Sequence, residues 1–132
     1  MKFYLIRSWD RLGISLSILC AIHCLFFPLF ISVMPLVPSD GWLEELIHLL
    51  FFLLIAPTVW FAVKDAIHRS KVFILLLTGV VLIAIALIAG SYIGELTETV
   101  ITLIGSSLLI AGHWTNYRTS DKLKVETHGE AA

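Results

Sequence analysis

The chain has 132 residues, of which 58% are hydrophobic and 14% charged, with a mean hydropathy of +0.94 and a formal net charge of -1. A water-soluble domain this small has too little interior to hide so much apolar surface. Lipid is the solvent that suits the composition, and the charge gives no handle for nucleic acid, so an all-α membrane protein is expected.

The N-terminal residues carry Lys2, Arg7 and Arg11 ahead of an apolar run from about Leu12 to Val37. That run is longer than the ~7–15 residues of a signal-peptide core, and no small-x-small site ends it, so it reads as a retained span. Four apolar segments follow one another: Leu12 to Met34, Trp42 to Val63, Val72 to Ile93, and Val100 to Trp114 with Thr97 and Tyr117 extending it. Each approaches the ~20 residues that cross ~30 Å of hydrocarbon as a helix. Pro35, Pro38, Ser39, Asp40 and Gly41 read as the first turn. Short connections make neighbouring helices antiparallel, giving a four-helix bundle over residues 1–118. The polar tail from Thr119 to Ala132 is expected to lack regular structure. Ala86, Gly90 and Gly94 form a small-xxx-small stripe that suits close helix packing.

The charges are sorted. Lys2, Arg7 and Arg11 precede the first span, Lys64, Arg69 and Lys71 lie between the second and third, and Arg118, Lys122 and Lys124 follow the fourth. Four crossings put all nine bases on one side, which the positive-inside rule makes the cytoplasm, with both termini there. The opposite side carries Asp40, Glu44, Glu45, Glu95 and Glu98 and no base.

The only cysteines, Cys20 and Cys24, lie inside the first span. On a helix they share one face, flanked by His23, and Asp10, Gly13 and Ser17 continue that stripe toward the basic end. Pro28, four residues beyond Cys24, can bend the helix there. Thiolates suit soft metals and imidazole suits borderline ones. Two thiols that bind a dication release two protons and leave a neutral complex, which avoids most of the cost of burying an ion. Packing alone also accommodates cysteine in apolar helices, but an intramembrane histidine needs a partner. At ~1.5 Å per residue, Cys24 lies ~20 Å from the cytoplasmic start of the first span and His48 ~9 Å from the outer end of the second, which puts the two at similar depth. His48 is therefore either a further ligand or an interfacial side chain hydrogen-bonded to Glu44. His113 and Asn116 share a face near the cytoplasmic end of the fourth span. His113 joins the metal-site candidates as an exit step or a helix contact rather than a primary ligand. Asp65 and His68 read as interfacial, and His128 carries no signal. No nucleophile–base–acid set or phosphate loop is visible, so an enzyme is not expected.

Asp10-Arg11-Leu12-Gly13, Ser17-Ile18-Leu19-Cys20-Ala21-Ile22-His23-Cys24-Leu25, Pro28, His48 and Gly112-His113-Trp114-Thr115-Asn116 together resemble the MerC-type mercury resistance proteins, over about residues 8 to 118. The resemblance implies a four-span protein of the bacterial inner membrane that takes up Hg(II). It implies Cys20 and Cys24 as thiol ligands, with His23 and His48 participating. Zn(II) or another thiophilic metal is the alternative cargo, and no permanently bound cofactor is expected. The implied partners are the lipid bilayer, a periplasmic metal-carrying protein and a cytoplasmic thiol acceptor. The chain departs from the family pattern in lacking a second cysteine pair after Cys24, so no thiol relay to the cytoplasm can run within it. The competing readings are a membrane redox or haem-associated protein and a structural subunit of a membrane complex. A disulfide within one helical turn is geometrically poor, which counts against the redox version.

Overall fold

The computed structural model describes residues 2–33, 41–66 and 69–129. They form four helices: α1 (Lys2–Val33), α2 (Gly41–Ala66), α3 (Ser70–Ile93) and α4 (Glu95–Gly129). Each contains a stretch long and apolar enough to cross a membrane: Ser8–Phe27, Glu45–Lys64, Ser70–Ile93 and Glu95–Ser120. Pro35, Pro38, Ser39, Asp40 and His68 lie outside the described residues, as do the side chains of Pro28, Glu44, Asp65 and His128.

Contacts fix the packing. On α1 and α4, Asp10 meets Asn116, Arg11 meets Tyr117, and Cys20 meets Ser106. On α3 and α4, Gly79 meets Gly105 and Leu109, and Gly90 meets Glu98. On α1 and α2, Trp9 stacks on Phe61 and Cys24 reaches His48. Between contacts a turn or more apart, such as Asp10–Asn116 and Cys20–Ser106, one residue number falls as the other rises, so each of these pairs of helices runs antiparallel. The helices form a ring in chain order, with α4 closing against both α3 and α1.

The exterior is apolar and the interior is partly polar. Leu19, Ile22, Phe26, Leu53, Ile74, Ile85 and Ile104 face outward, while Asp10, Ser17, Thr58, Thr102, Ser106, His113 and Asn116 are buried. Water would penalise this arrangement and hydrocarbon favours it. Two of the buried hydroxyls satisfy themselves on their own helix. Thr58 donates to the Ile55 carbonyl, beside Pro57, and Thr102 donates to the Glu98 carbonyl.

Three boundaries differ from the sequence expectation. Gly41 belongs to α2 rather than to the preceding turn. α4 starts at Glu95 rather than near Thr97 or Val100, because Gly94 adopts φ +81° and reverses the chain in a single residue. Glu95 and Glu98 then stand in the first turn, where the helix dipole favours acids. At the other end α4 continues to Gly129, through the tail expected to be unstructured. No proline or glycine lies between Gly112 and Gly129 to stop it.

The small-residue stripe also reads differently. Gly90 accommodates the side chain of Glu98 and Gly94 makes the turn. The close approach of α3 and α4 is at Gly79 and Gly105, where a Cβ on either lies 2.9–3.0 Å from the other's carbonyl oxygen.

Candidate metal site

The site begins with a spacing. Asp10, Gly13, Ser17, Cys20 and Cys24 alternate steps of three and four, which keeps all five on one stripe of α1, and all five are buried. Cys20 is 1% and Cys24 3% exposed, and neither forms a disulfide. The Cys20 thiol faces Cys24 on its own helix and the Ser106 hydroxyl on α4.

α2 supplies the next donor. His48 Nε2 lies 3.5 Å from Cys24 Sγ, so the two residues at matching depth do meet. His23 stands edge-on to His48 with ring centroids 5.7 Å apart, and packs against Phe27 and Phe51. Donor atoms of His23, Cys24 and His48 all lie within 4.8 Å of one another. Neither ring nitrogen of His23 has a hydrogen-bond partner. A thiol and two imidazoles converging at this separation, with a second thiol one turn away, are donor types that could hold a soft or borderline cation.

The sequence reading missed the carboxylate behind it. His48 Nδ1 bonds Glu98 Oε1 of α4 at 3.0 Å. Glu98 is 21% and His48 12% exposed, so this pair sits at the lip of the acidic end. Space for the carboxylate comes from Gly90, where a Cβ would lie 2.5 Å from Glu98 Oε2. The tautomer that donates Nδ1–H to Glu98 would carry its lone pair on Nε2, the atom that faces Cys24. Thiol, imidazole and carboxylate thus stand in line, an order that the sequence alone did not reveal.

His113 is not brought to this cluster. It lies at the basic end, wholly buried, with Nδ1 2.9 Å from Asp10 Oδ1. Asn116 Nδ2 donates to Asp10 Oδ2 at 2.9 Å, and Arg69 donates to Asn116 Oδ1 at 3.1 Å. Asp10 is 0% exposed, and its two oxygens are each held by one of these partners. A carboxylate buried this deeply needs such compensation.

No curated protein and no solved structure matched the chain. A family model described as MerC mercury resistance protein matches residues 10–118. The match opens on Asp10 and takes in both thiols, all three histidines just described and Asn116, so it covers the two polar clusters and the helices that hold them; the chain belongs to the MerC mercury resistance family.

Proposed function

We propose that this multi-pass membrane protein transports mercuric ion inward through the cytoplasmic membrane of a bacterium, using Cys20 and Cys24 as paired thiolates and His23 and His48 as auxiliary donors. The observation that carries the reading is the 3.5 Å approach of Cys24 Sγ and His48 Nε2 beside His23. Two thiolates neutralise a dication, so the loaded site carries no net charge into a low-dielectric interior. The bases gathered at one end support a cytoplasmic placement of that end, with the acidic end toward the periplasm. The ion arrives from a periplasmic carrier at the acidic end and passes to a cytoplasmic thiol acceptor. The same donor set suits Zn(II), a borderline cation that thiolate and imidazole commonly hold together.

The order Cys24–His48–Glu98 is also that of a thiol hydrolase. Here, however, Cys24 sits inside a continuous helix, whose backbone N–H groups are engaged in the helix and cannot receive an oxyanion. The proposal is accordingly of a transporter rather than a thiol hydrolase.

The test is Hg(II) and Zn(II) binding by purified full-length protein. Wild type is expected to bind one ion, and Cys20→Ser with Cys24→Ser is expected to abolish Hg(II) binding. Equal affinity in the double variant sinks the proposal.

A further inference from the structure

The proposed ligands stand on α1 and α2, but two side chains of α4 reach them. Glu98 bonds His48 Nδ1 at 3.0 Å. Two helical turns further along α4, about 12 Å, Ser106 faces the Cys20 thiol of α1. Each arm of the site thus has a partner on α4: a carboxylate behind the imidazole that meets Cys24, and a hydroxyl beside Cys20.

Ser106 departs from the habit of its own helix. A serine or threonine inside a helix can donate to the carbonyl four residues back. Thr102, Ser107, Thr115 and Thr119 all do so on α4. Ser106 is 0% exposed and does not, although the helix is continuous and the Thr102 carbonyl stands in that place. Among the described residues its Oγ bonds no nitrogen and no oxygen. What it meets is the sulfur of Cys20.

For the metal-free protein this is a poor exchange. A thiol sulfur is a weak acceptor and a carbonyl oxygen a strong one. The balance reverses once the thiol proton has left. A thiolate is a charged acceptor, charge-assisted hydrogen bonds are roughly twice as strong as neutral ones, and burial strengthens them further. Cys20 is the thiol in greater need of such help. It is 1% exposed, while Cys24 has the His48 ring beside it.

Packing holds the hydroxyl in place. Gly105, Leu109 and Gly112 seat α4 on α3: a Cβ at Gly105 would lie 3.0 Å from the Gly79 carbonyl oxygen, and one at Gly112 would lie 2.8 Å from Leu76 Cδ2. Ser106, His113 and Asn116 turn to α1 instead. Because α4 cannot roll on α3 without a clash, Ser106 keeps its bearing on Cys20.

We propose that Ser106 is a positioning residue of the metal site, whose hydroxyl donates to Cys20 Sγ when that sulfur is a metal-bound thiolate. This rests on the reading of Cys20 and Cys24 as metal-binding thiols. As the dication binds, each thiol gives its proton to water and each sulfur forms a bond to the metal, with no change of oxidation state. The Ser106 O–H keeps its own proton and donates it to Cys20 Sγ. The bond favours the loaded state, because only that state offers the hydroxyl a sulfur anion. The two partners on α4 therefore divide the work. Glu98 acts through an imidazole, and Ser106 acts through a sulfur.

The test uses full-length protein in detergent, with Hg(II) as the probe and glutathione as the competing thiol. Ser106→Ala is expected to lose about tenfold in Hg(II) affinity. Its sulfur-to-mercury charge-transfer band is expected to move to lower energy, since a sulfur without the hydrogen bond holds its electrons less tightly. Ser106→Thr restores a hydroxyl and is expected to return both toward wild type. Ser107→Ala removes an exposed hydroxyl that bonds the Leu103 carbonyl and is expected to change neither. Wild-type affinity in Ser106→Ala overturns the assignment, as does an unmoved band or an equal loss in Ser107→Ala. If Ser106→Thr does not fold, the two alanine variants decide. Failure of the thiol reading shows separately, as unchanged Hg(II) binding after Cys20→Ser with Cys24→Ser, whereas failure of Ser106 alone leaves that loss intact.

Discussion

At the acidic end Glu98 holds His48 at 3.0 Å, and at the basic end Asp10 holds His113 at 2.9 Å. The first joins α4 to α2 across the ring and the second joins α4 to its neighbour α1, and each fixes one imidazole with its Nε2 toward the α1 stripe. Their surroundings differ. Glu98 is 21% exposed and leans into the gap at Gly90, whereas Asp10 is sealed, with both oxygens engaged and Arg69 behind Asn116. The same hydrogen bond should therefore serve affinity at the outer end and stability at the inner end. An ion pair at a partly open edge contributes less to folding than a sealed one, which cannot lose a partner cheaply.

The widest separation is expected from deleting the two acids. Asp10→Ala strands the His113 Nδ1–H and an Asn116 donor without solvent and is expected to cost about 3–5 kcal/mol of stability. Glu98→Ala is expected to cost less than about 1 kcal/mol. Unfolding followed in detergent for both variants checks this. Equal losses would show that the two ends are not held differently.

Next comes Gly13→Ala. The new Cβ lies 2.5–2.7 Å from three atoms of the His113 ring, and Asp10 prevents the ring from backing away. Overpacking of this kind is expected to cost about 1–3 kcal/mol, read by the same unfolding measurement. A silent Gly13→Ala would mean that the inner imidazole is mobile.

Much of this architecture was legible because it is local. The three-and-four spacing of Asp10, Gly13, Ser17, Cys20 and Cys24 declares a face, and counting the helical rise brings Cys24 and His48 to one depth. The partners of the histidines were not legible. Asp10 and His113 are 103 positions apart and His48 and Glu98 are 50 apart, and several acids on the outer side competed equally for His48. Composition made Ala86, Gly90 and Gly94 look like a packing stripe. Only the tertiary structure shows that one glycine admits a carboxylate, another turns the chain, and the close helix contact falls at Gly79 and Gly105.

The outer pair is probed by affinity. Glu98→Ala frees the His48 ring to turn or change tautomer, so Zn(II) affinity is expected to fall about 10–100-fold. Hg(II), held mainly by sulfur, is expected to fall much less. Glu98→Gln keeps a carbonyl acceptor for Nδ1–H and is expected to recover part of the loss. Isothermal titration of the three proteins checks the order, and an unchanged Zn(II) affinity in Glu98→Ala would remove Glu98 from the site.

The smallest effect is expected from Gly90→Ala, and it isolates orientation from charge. Its Cβ meets Glu98 Oε2 at 2.5 Å and Cδ at 2.7 Å, but unlike the His113 ring this carboxylate stands at a partly open edge. It can swing outward, keeping its charge near the site while loosening its grip on His48 Nδ1. Zn(II) affinity is then expected to fall by roughly threefold, below the loss from deleting the acid, with unfolding little changed. A loss as large as that of Glu98→Ala would mean that the hydrogen bond alone, and not the nearby negative charge, accounts for the part that Glu98 plays.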